Sequence, residues 1–128
     1  MGAIVLCDRF LDSTLAYQGY GRGLDLRLLA HMNEMAAGRL SPDLTFLFDV
    51  PVTIGLRRRH HNQLQINRID AESLQFHERV RRGFQALVRR HPRRIRLIDA
   101  DRLPDVISKD VERLVGERLT RRRLARAR

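Results

Sequence analysis

This 128-residue chain has one cysteine, one lysine and few aromatics (5%), and it has no long apolar run. Its longest uncharged apolar stretches, Ala3 to Cys7 and Leu44 to Phe48, fall far short of the roughly 20 residues that cross a bilayer. That excludes a spanning helix. The start, Met1-Gly2-Ala3-Ile4-Val5-Leu6-Cys7-Asp8, carries no basic leader and meets an acid at once, so neither a signal nor a transit peptide is expected and the chain is assigned to the cytoplasm. A lone thiol can form neither an internal disulfide nor a cysteine metal cluster, and Cys7, set in an apolar run, is expected to be buried packing. No serine- or glycine-rich linker and no internal repeat divides the chain.

What is present is charge of one sign. Basic side chains number 25 against 15 acidic, a formal net charge of +10, and every basic residue but Lys109 is arginine. Such a field attracts polyanions. The tail from Arg121 to Arg128, however, has no interleaved aromatics on which bases could stack. It reads as a solvated, fraying end, so specific nucleic-acid binding is not expected. With 43% apolar residues, one domain is expected over residues 1–119, followed by the basic tail 120–128.

Ala3 to Cys7 has the pattern of a strand buried on both faces of a parallel sheet. Leu26, Leu29, Met32, Met35 and Ala36 recur at helical spacing before Gly38, which marks a helix from Asp25 to Ala37. Ser41-Pro42-Asp43 makes a turn, and a second strand runs from Leu44 to Phe48. Val52 to His60 reads as a helix and His61 to Asn67 as a polar loop. Ala71 to His91 is a long amphipathic helix with Phe76, Val80, Phe84, Leu87 and Val88 inward and Glu78, Arg79, Arg82 and Arg89 outward, ended by Pro92. Arg94 to Ile98 is a third strand, and Leu103 to Leu119 a closing helix. The order predicts an α/β fold: three parallel strands with flanking helices, three-layered and doubly wound, with ligands at the carboxyl ends of the strands near Asp8, Asp49 and Asp99.

At the first of those ends the sequence reads Cys7-Asp8-Arg9-Phe10, then Asp12-Ser13-Thr14-Leu15-Ala16-Tyr17-Gln18-Gly19-Tyr20-Gly21-Arg22-Gly23. An arginine fork suits a phosphate and the adjacent carboxylate a metal-bound water. Ser13, Thr14, Tyr17 and Gln18, at offsets of one, three and four, place hydroxyls and an amide on one helical face, which suits a nucleobase and sugar. Taken singly, an Asp-Arg pair at a strand end is more often structural. Adjacent histidines such as His60-His61 point about 100° apart on a helix, and with His77 and His91 they have no supporting cysteine or carboxylate spacing for a metal.

These motifs, together with Pro42-Asp43-Leu44-Thr45, Leu47-Phe48-Asp49-Val50, Gly55-Leu56, Asn67-Arg68-Ile69-Asp70, Glu72-Ser73, Phe76-His77-Glu78-Arg79-Val80-Arg81 and Ile98-Asp99-Ala100, resemble bacterial thymidylate kinase from residue 2 to about residue 115. The resemblance implies a P-loop kinase fold, commonly dimeric, that passes the γ-phosphoryl group of ATP, with Mg2+, to dTMP to give dTDP. By position it implies that Arg9 holds the acceptor phosphate, with Asp8 beside it near magnesium. Ser13, Thr14, Tyr17 and Gln18 would line the nucleoside pocket, together with Asp8 and Arg9. The loop from Arg58 to Arg68 would close over ATP as a lid whose arginines stabilise the transferred phosphoryl group, and Asp99-Ala100 would begin the loop near the adenine.

The chain departs from that family in two places. No G-x-x-x-x-G-K-[ST] loop, which cradles phosphates with backbone N–H groups and a lysine, occurs in these 128 residues. Lys109 lies in Ile107-Ser108-Lys109-Asp110-Val111, without a preceding glycine. The expectation is a partial P-loop kinase fold without the central P-loop strand, inactive alone, and lacking an N-terminal half. The strands at Ala3 and Leu44 then either pair directly or leave unpaired edges. The second departure is the lid, which has His60, His61, Asn62 and Asn67 where relatives are richer in arginine and glycine, with an aspartate matching Asn67. The competing function is a noncatalytic remnant or binding module that keeps a nucleotide pocket or binds polyanions by charge.

Overall fold

The computed structural model describes residues 3–38, 40–59 and 71–126. Helix α1 (Leu11–Thr14) runs straight into a π-helical segment, Leu15–Gly21, followed by α2 (Leu26–Ala37), β1 (Thr45–Asp49), α3 (Val52–Arg59), α4 (Ala71–Arg90), β2 (Ile95–Asp99) and α5 (Pro104–Arg126). The fold is α/β, with β1 and β2 paired in parallel from Thr45↔Ile95 to Asp49↔Asp99. Parallel neighbours require a crossover connection, which α3 and α4 supply. The register sets Asp49 and Asp99 side by side at the carboxyl edge.

Local rules explain most boundaries. The Asp25 carboxylate accepts hydrogen bonds from the Arg27 and Leu28 amides at 2.7 and 3.0 Å, which satisfies donors that the first turn of α2 would leave orphaned. Gly38 ends that helix in the left-handed conformation, φ 56°, which glycine adopts without a Cβ clash. The apolar stripe of α4 sets Val80 and Leu87 against Ala16 and Ile95, with Phe76 and Phe84 around Tyr17. The backbones approach closely at Gly83, where an added Cβ would lie 2.6 Å from Tyr20 Cβ.

A second tie joins distant chain segments. Arg94, just before β2, donates to both carboxylate oxygens of Asp12 at 2.7 and 2.8 Å and to Thr45 Oγ1 at 3.2 Å. One guanidinium thus links α1 to the starts of both strands. Asp12 is the buried charged residue among the described residues, 9% exposed.

Three expectations are corrected. Ala3 to Cys7 is not a strand, and the described residues contain two strands rather than three. Ile4, Val5 and Leu6 are 71, 84 and 92% exposed. β-Branched composition favours a strand only where neighbours complete its ladder and cover its faces, and no described segment pairs with this one. The direct pairing of the first two expected strands therefore does not form, and Phe48 on β1 stays exposed. Cys7 is exposed for the same reason, its Sγ donating weakly to the Arg9 carbonyl at 3.6 Å. Finally, the closing helix continues past Leu119 to Arg126. No glycine or proline follows Leu119, and Arg, Leu and Ala all propagate a helix. The polar loop His61 to Asn67 lies outside the described residues.

Candidate functional site

Arg9 carries the most unusual backbone of the described residues. Its φ is 63°, a left-handed conformation that costs a bulky L-residue about 1–3 kcal/mol and persists only where surrounding contacts impose it. Its guanidinium lies over the Tyr17 ring, 4.5 Å from the centroid, and its Nε donates to Ser13 Oγ at a long 3.5 Å. Tyr17 is fixed from the other side by edge contacts to Phe76 and Phe84 of α4, with centroids 6.2 and 6.1 Å apart. The strained residue therefore presents a cation on a fixed aromatic platform. No carboxylate pairs with Arg9 among the described residues, and its exposed fork can accept an oxyanion in two-point fashion. Asp8 is exposed beside it.

Ser13 lies in α1, and Tyr17 and Gln18 lie in the π-helical segment, where the Arg22 amide donates to the Tyr17 carbonyl five residues back at 3.1 Å. The 3.6-residue spacing expected for Ser13, Thr14, Tyr17 and Gln18 stops at Thr14. Single π turns concentrate at functional sites because they displace side chains from the regular helical rows. The structure brings Arg9, Ser13 and Tyr17 into contact; neither Thr14 nor Gln18 hydrogen-bonds Arg9.

A second constellation forms at the carboxyl edge of the sheet. The Ala100 amide donates to the Asp49 carbonyl at 2.8 Å, which extends the ladder by one bond. Arg58 of α3 donates to the Ala100 carbonyl at 2.7 Å and to Asp101 Oδ1 at 2.8 Å. Asp99 is exposed and caps the turn by accepting from the Asp101 amide at 2.9 Å. Among the described residues no hydrogen bond joins this group to Arg9. Arg68 lies outside the described residues.

Beneath the edge, Arg81 grips Asp49 with two bonds, Nε to Oδ1 at 2.8 Å and Nη2 to Oδ2 at 2.9 Å, while Gln85 adds a third at 3.3 Å. The Arg81 hydrogen bonds, partly opposed by desolvation, hold the Asp49 carboxyl below its ordinary value. A carboxyl lowered on folding adds stability that is complete above its unfolded pKa of about 3.9 and is lost as pH falls through the lower folded value. Arg81→Gln is therefore expected to move the Asp49 titration, followed by carboxyl 13C shifts, upward. An unmoved midpoint would refute the pairing as its cause.

Nothing in the sequence marks Arg81 or Arg94 as holding a carboxylate, and helical spacing puts Arg79 on the outer face of its helix. In fact Arg79 is half-buried and its Nε donates to the Gly21 carbonyl at 2.9 Å. The four-residue spacing of Arg81 and Gln85 was the available signal for a shared partner. Arg79 also borders a broad, open concavity of about 740 Å³ with Tyr20, Arg22, Ser73 and Phe76. None of Ser13, Thr14, Tyr17 and Gln18 lines it, although Phe76 packs on Tyr17. Among the described residues, no group of three His, Cys, Asp or Glu side chains is placed to hold a metal, and no helix is long and apolar enough to cross a membrane. His60 and His61 lie outside the described residues.

The sequence model of the thymidylate kinase family matches residues 1–111. A thymidylate kinase from Desulfovibrio desulfuricans is 53% identical over 110 residues, covering 81% of this chain and 51% of the relative. One from Thermomicrobium roseum is 50% identical over 122 residues, 95% of this chain and 58% of the relative. The crystal structure of thymidylate kinase from Ehrlichia chaffeensis superposes with a TM-score of 0.63 at 31% identity, covering 86% of this chain and 47% of that one. The chain spans about half the length of the curated relatives it matches.

Proposed function

This chain belongs to the thymidylate kinase family, and from that premise we propose that it carries the acceptor-binding and lid portions of a nucleoside monophosphate kinase that transfers the ATP γ-phosphoryl group to dTMP. The observation that supports this most is the pose of Arg9. Strained backbone, an aromatic platform and an exposed fork with no carboxylate partner together suit a group kept ready for a phosphate.

In this proposal Arg9 binds the dTMP phosphate through its fork, and Ser13 and Tyr17 hold the guanidinium so that less ordering remains at binding. Thr14 and Gln18 complete the nucleoside pocket. Asp99 and Ala100 border the adenine, and Arg58 and Arg68 act on the phosphoryl group. The Arg58–Asp101 pair is half-exposed on both sides, and such pairs contribute about 0–1 kcal/mol. Arg58 therefore exchanges Asp101 for a phosphate oxygen at little cost. Magnesium, which neutralises phosphate charge when bound, usually takes one or two carboxylates and draws its remaining ligands from phosphates and water. The single exposed carboxylate of Asp8 fits that demand.

Calorimetry tests the acceptor half directly. Saturable binding of dTMP, stronger than that of dUMP and weakened at least tenfold in Arg9→Ala, is expected. Heat only from DNA, with a steep salt slope, would replace this reading with a charge-driven module.

A further inference from the structure

The end of the sheet opposite Asp49 and Asp99 holds a cavity of about 200 Å³. Leu44, at the entry to β1, and Leu114 of α5 form its apolar wall, and Arg93, Arg96, Arg118 and Arg121 line the rest. Arg93 and Arg96 arrive from the start of β2, whereas Leu114, Arg118 and Arg121 recur at helical spacing on one face of α5. The cavity is thus built by the sheet and by a helix far along the chain. None of its lining residues belongs to the group of Arg9, Ser13 and Tyr17 or to the carboxyl edge of the sheet.

Its charge is unbalanced. The one carboxylate in the lining, Glu117, accepts from Arg113 at 2.8 Å. Arg118, whose side chain is 42% exposed, makes a loose ion pair with Asp43, Nη2 to Oδ1 at 3.7 Å, too long for a strong hydrogen bond. No ion pair among the described residues involves Arg93, Arg96 or Arg121. The Nε of Arg118 is buried and has no hydrogen-bond partner, a state that native structures rarely leave uncompensated. Four guanidinium groups, one with an orphaned buried donor, call for an acceptor-only anion that takes several N–H bonds at once. Phosphate oxygens do so with charge-assisted strength.

We infer that the cavity between the start of β2 and α5 binds a phosphate or diphosphate group, at a site separate from the one that takes the acceptor nucleotide. Size favours this choice. Pockets that enclose drug-sized organic ligands measure about 300–1,000 Å³, so 200 Å³ admits the anion without a nucleoside. The site does not depend on the proposed kinase function, since it uses none of the residues assigned there.

The test is site-resolved 15N NMR of the Arg118 Nε–H in the full 128-residue chain, titrated with inorganic phosphate, inorganic diphosphate, ATP, and sodium chloride at matched ionic strength. Saturable movement of that resonance is expected with diphosphate, at least tenfold tighter than with phosphate, and absent with chloride. Tighter saturation by diphosphate than by ATP assigns the site to the free anion, and the reverse order to the polyphosphate tail of a nucleotide; either supports the site. Arg96→Gln and the exposed Arg93→Gln, each with an unchanged circular dichroism spectrum, should weaken diphosphate binding at least tenfold. An equal response to chloride, or unaltered affinity in both variants, overturns the inference. The wild-type titration stands even if a variant fails to fold.

Discussion

Purified alone, these 128 residues are expected to convert no dTMP to dTDP with ATP, and a coupled assay should return the blank rate. Catalysis of phosphoryl transfer consists almost wholly of positioning and electrostatic stabilisation. The loop that cradles the β- and γ-phosphates supplies both, and no glycine-rich loop ending in Lys-Ser or Lys-Thr occurs in this sequence. Losing one preorganised donor costs about 10²–10³ in rate; without the whole cradle and its lysine, turnover is expected to fall below detection. Lys109 offers no substitute, because it sits within α5 between Ser108 and Asp110 and has no run of free backbone amides around it. Addition of a P-loop segment as a separate chain should restore turnover, and Arg9→Ala should then abolish it. The exposed Ile4-Val5-Leu6 run and Phe48 are surfaces that such a segment would cover, since an inserted strand completes ladders on both sides. Turnover by the isolated chain that disappears in Arg9→Ala would show that its ATP site lies elsewhere.

The largest loss of stability is expected from Arg94→Leu. The substitution leaves the Asp12 carboxylate, whose side chain is 12% exposed, with neither of the two charged hydrogen bonds that hold it. Removing one partner of a buried pair costs about 3–5 kcal/mol, because the other charge stays desolvated and uncompensated. Whole domains are stable by about 5–15 kcal/mol, and this one has a small core centred on Ala16, Val80, Leu87 and Ile95. Urea unfolding should show a large drop in midpoint, with much of it recovered in the double variant Asp12→Leu/Arg94→Leu, where no charge is left stranded. A single variant as stable as the parent, or a double variant that loses the sum of both singles, would show that the two groups are not coupled.

The elements most legible in the sequence are those whose causes lie within a few residues. The Asp25 cap and the Gly38 stop delimit α2, and the apolar spacing from Phe76 to Val88 with Pro92 beyond it delimits α4. The runs Thr45–Asp49 and Ile95–Asp99 form strands within one residue of their expected bounds because each is the other's ladder partner. Ala3 to Cys7, also an apolar run, is not a strand, and no described segment pairs with it.

Much the same division runs through the candidate site. The sequence pointed to Arg9, Ser13 and Tyr17, because an acid and an arginine followed by closely spaced hydroxyls are local facts. It could not show that Arg9 takes a left-handed backbone under contact with Tyr17, nor that the helix widens to a π turn there. Asp12 meets Arg94 across 82 positions, and Asp49 meets Arg81 across 32. Neither carboxylate carries a sequence mark of its partner, because any of many arginines would satisfy the same charge. Sequence alone indicated α2, α4, the segments of β1 and β2 and the residue types available for phosphate chemistry, since propensity, periodicity and capping act over a single turn. Tertiary packing decided which arginines are consumed by buried carboxylates and which, Arg9 among them, keep their forks without a carboxylate partner, because pairing over such separations depends on where the packed backbones place each guanidinium.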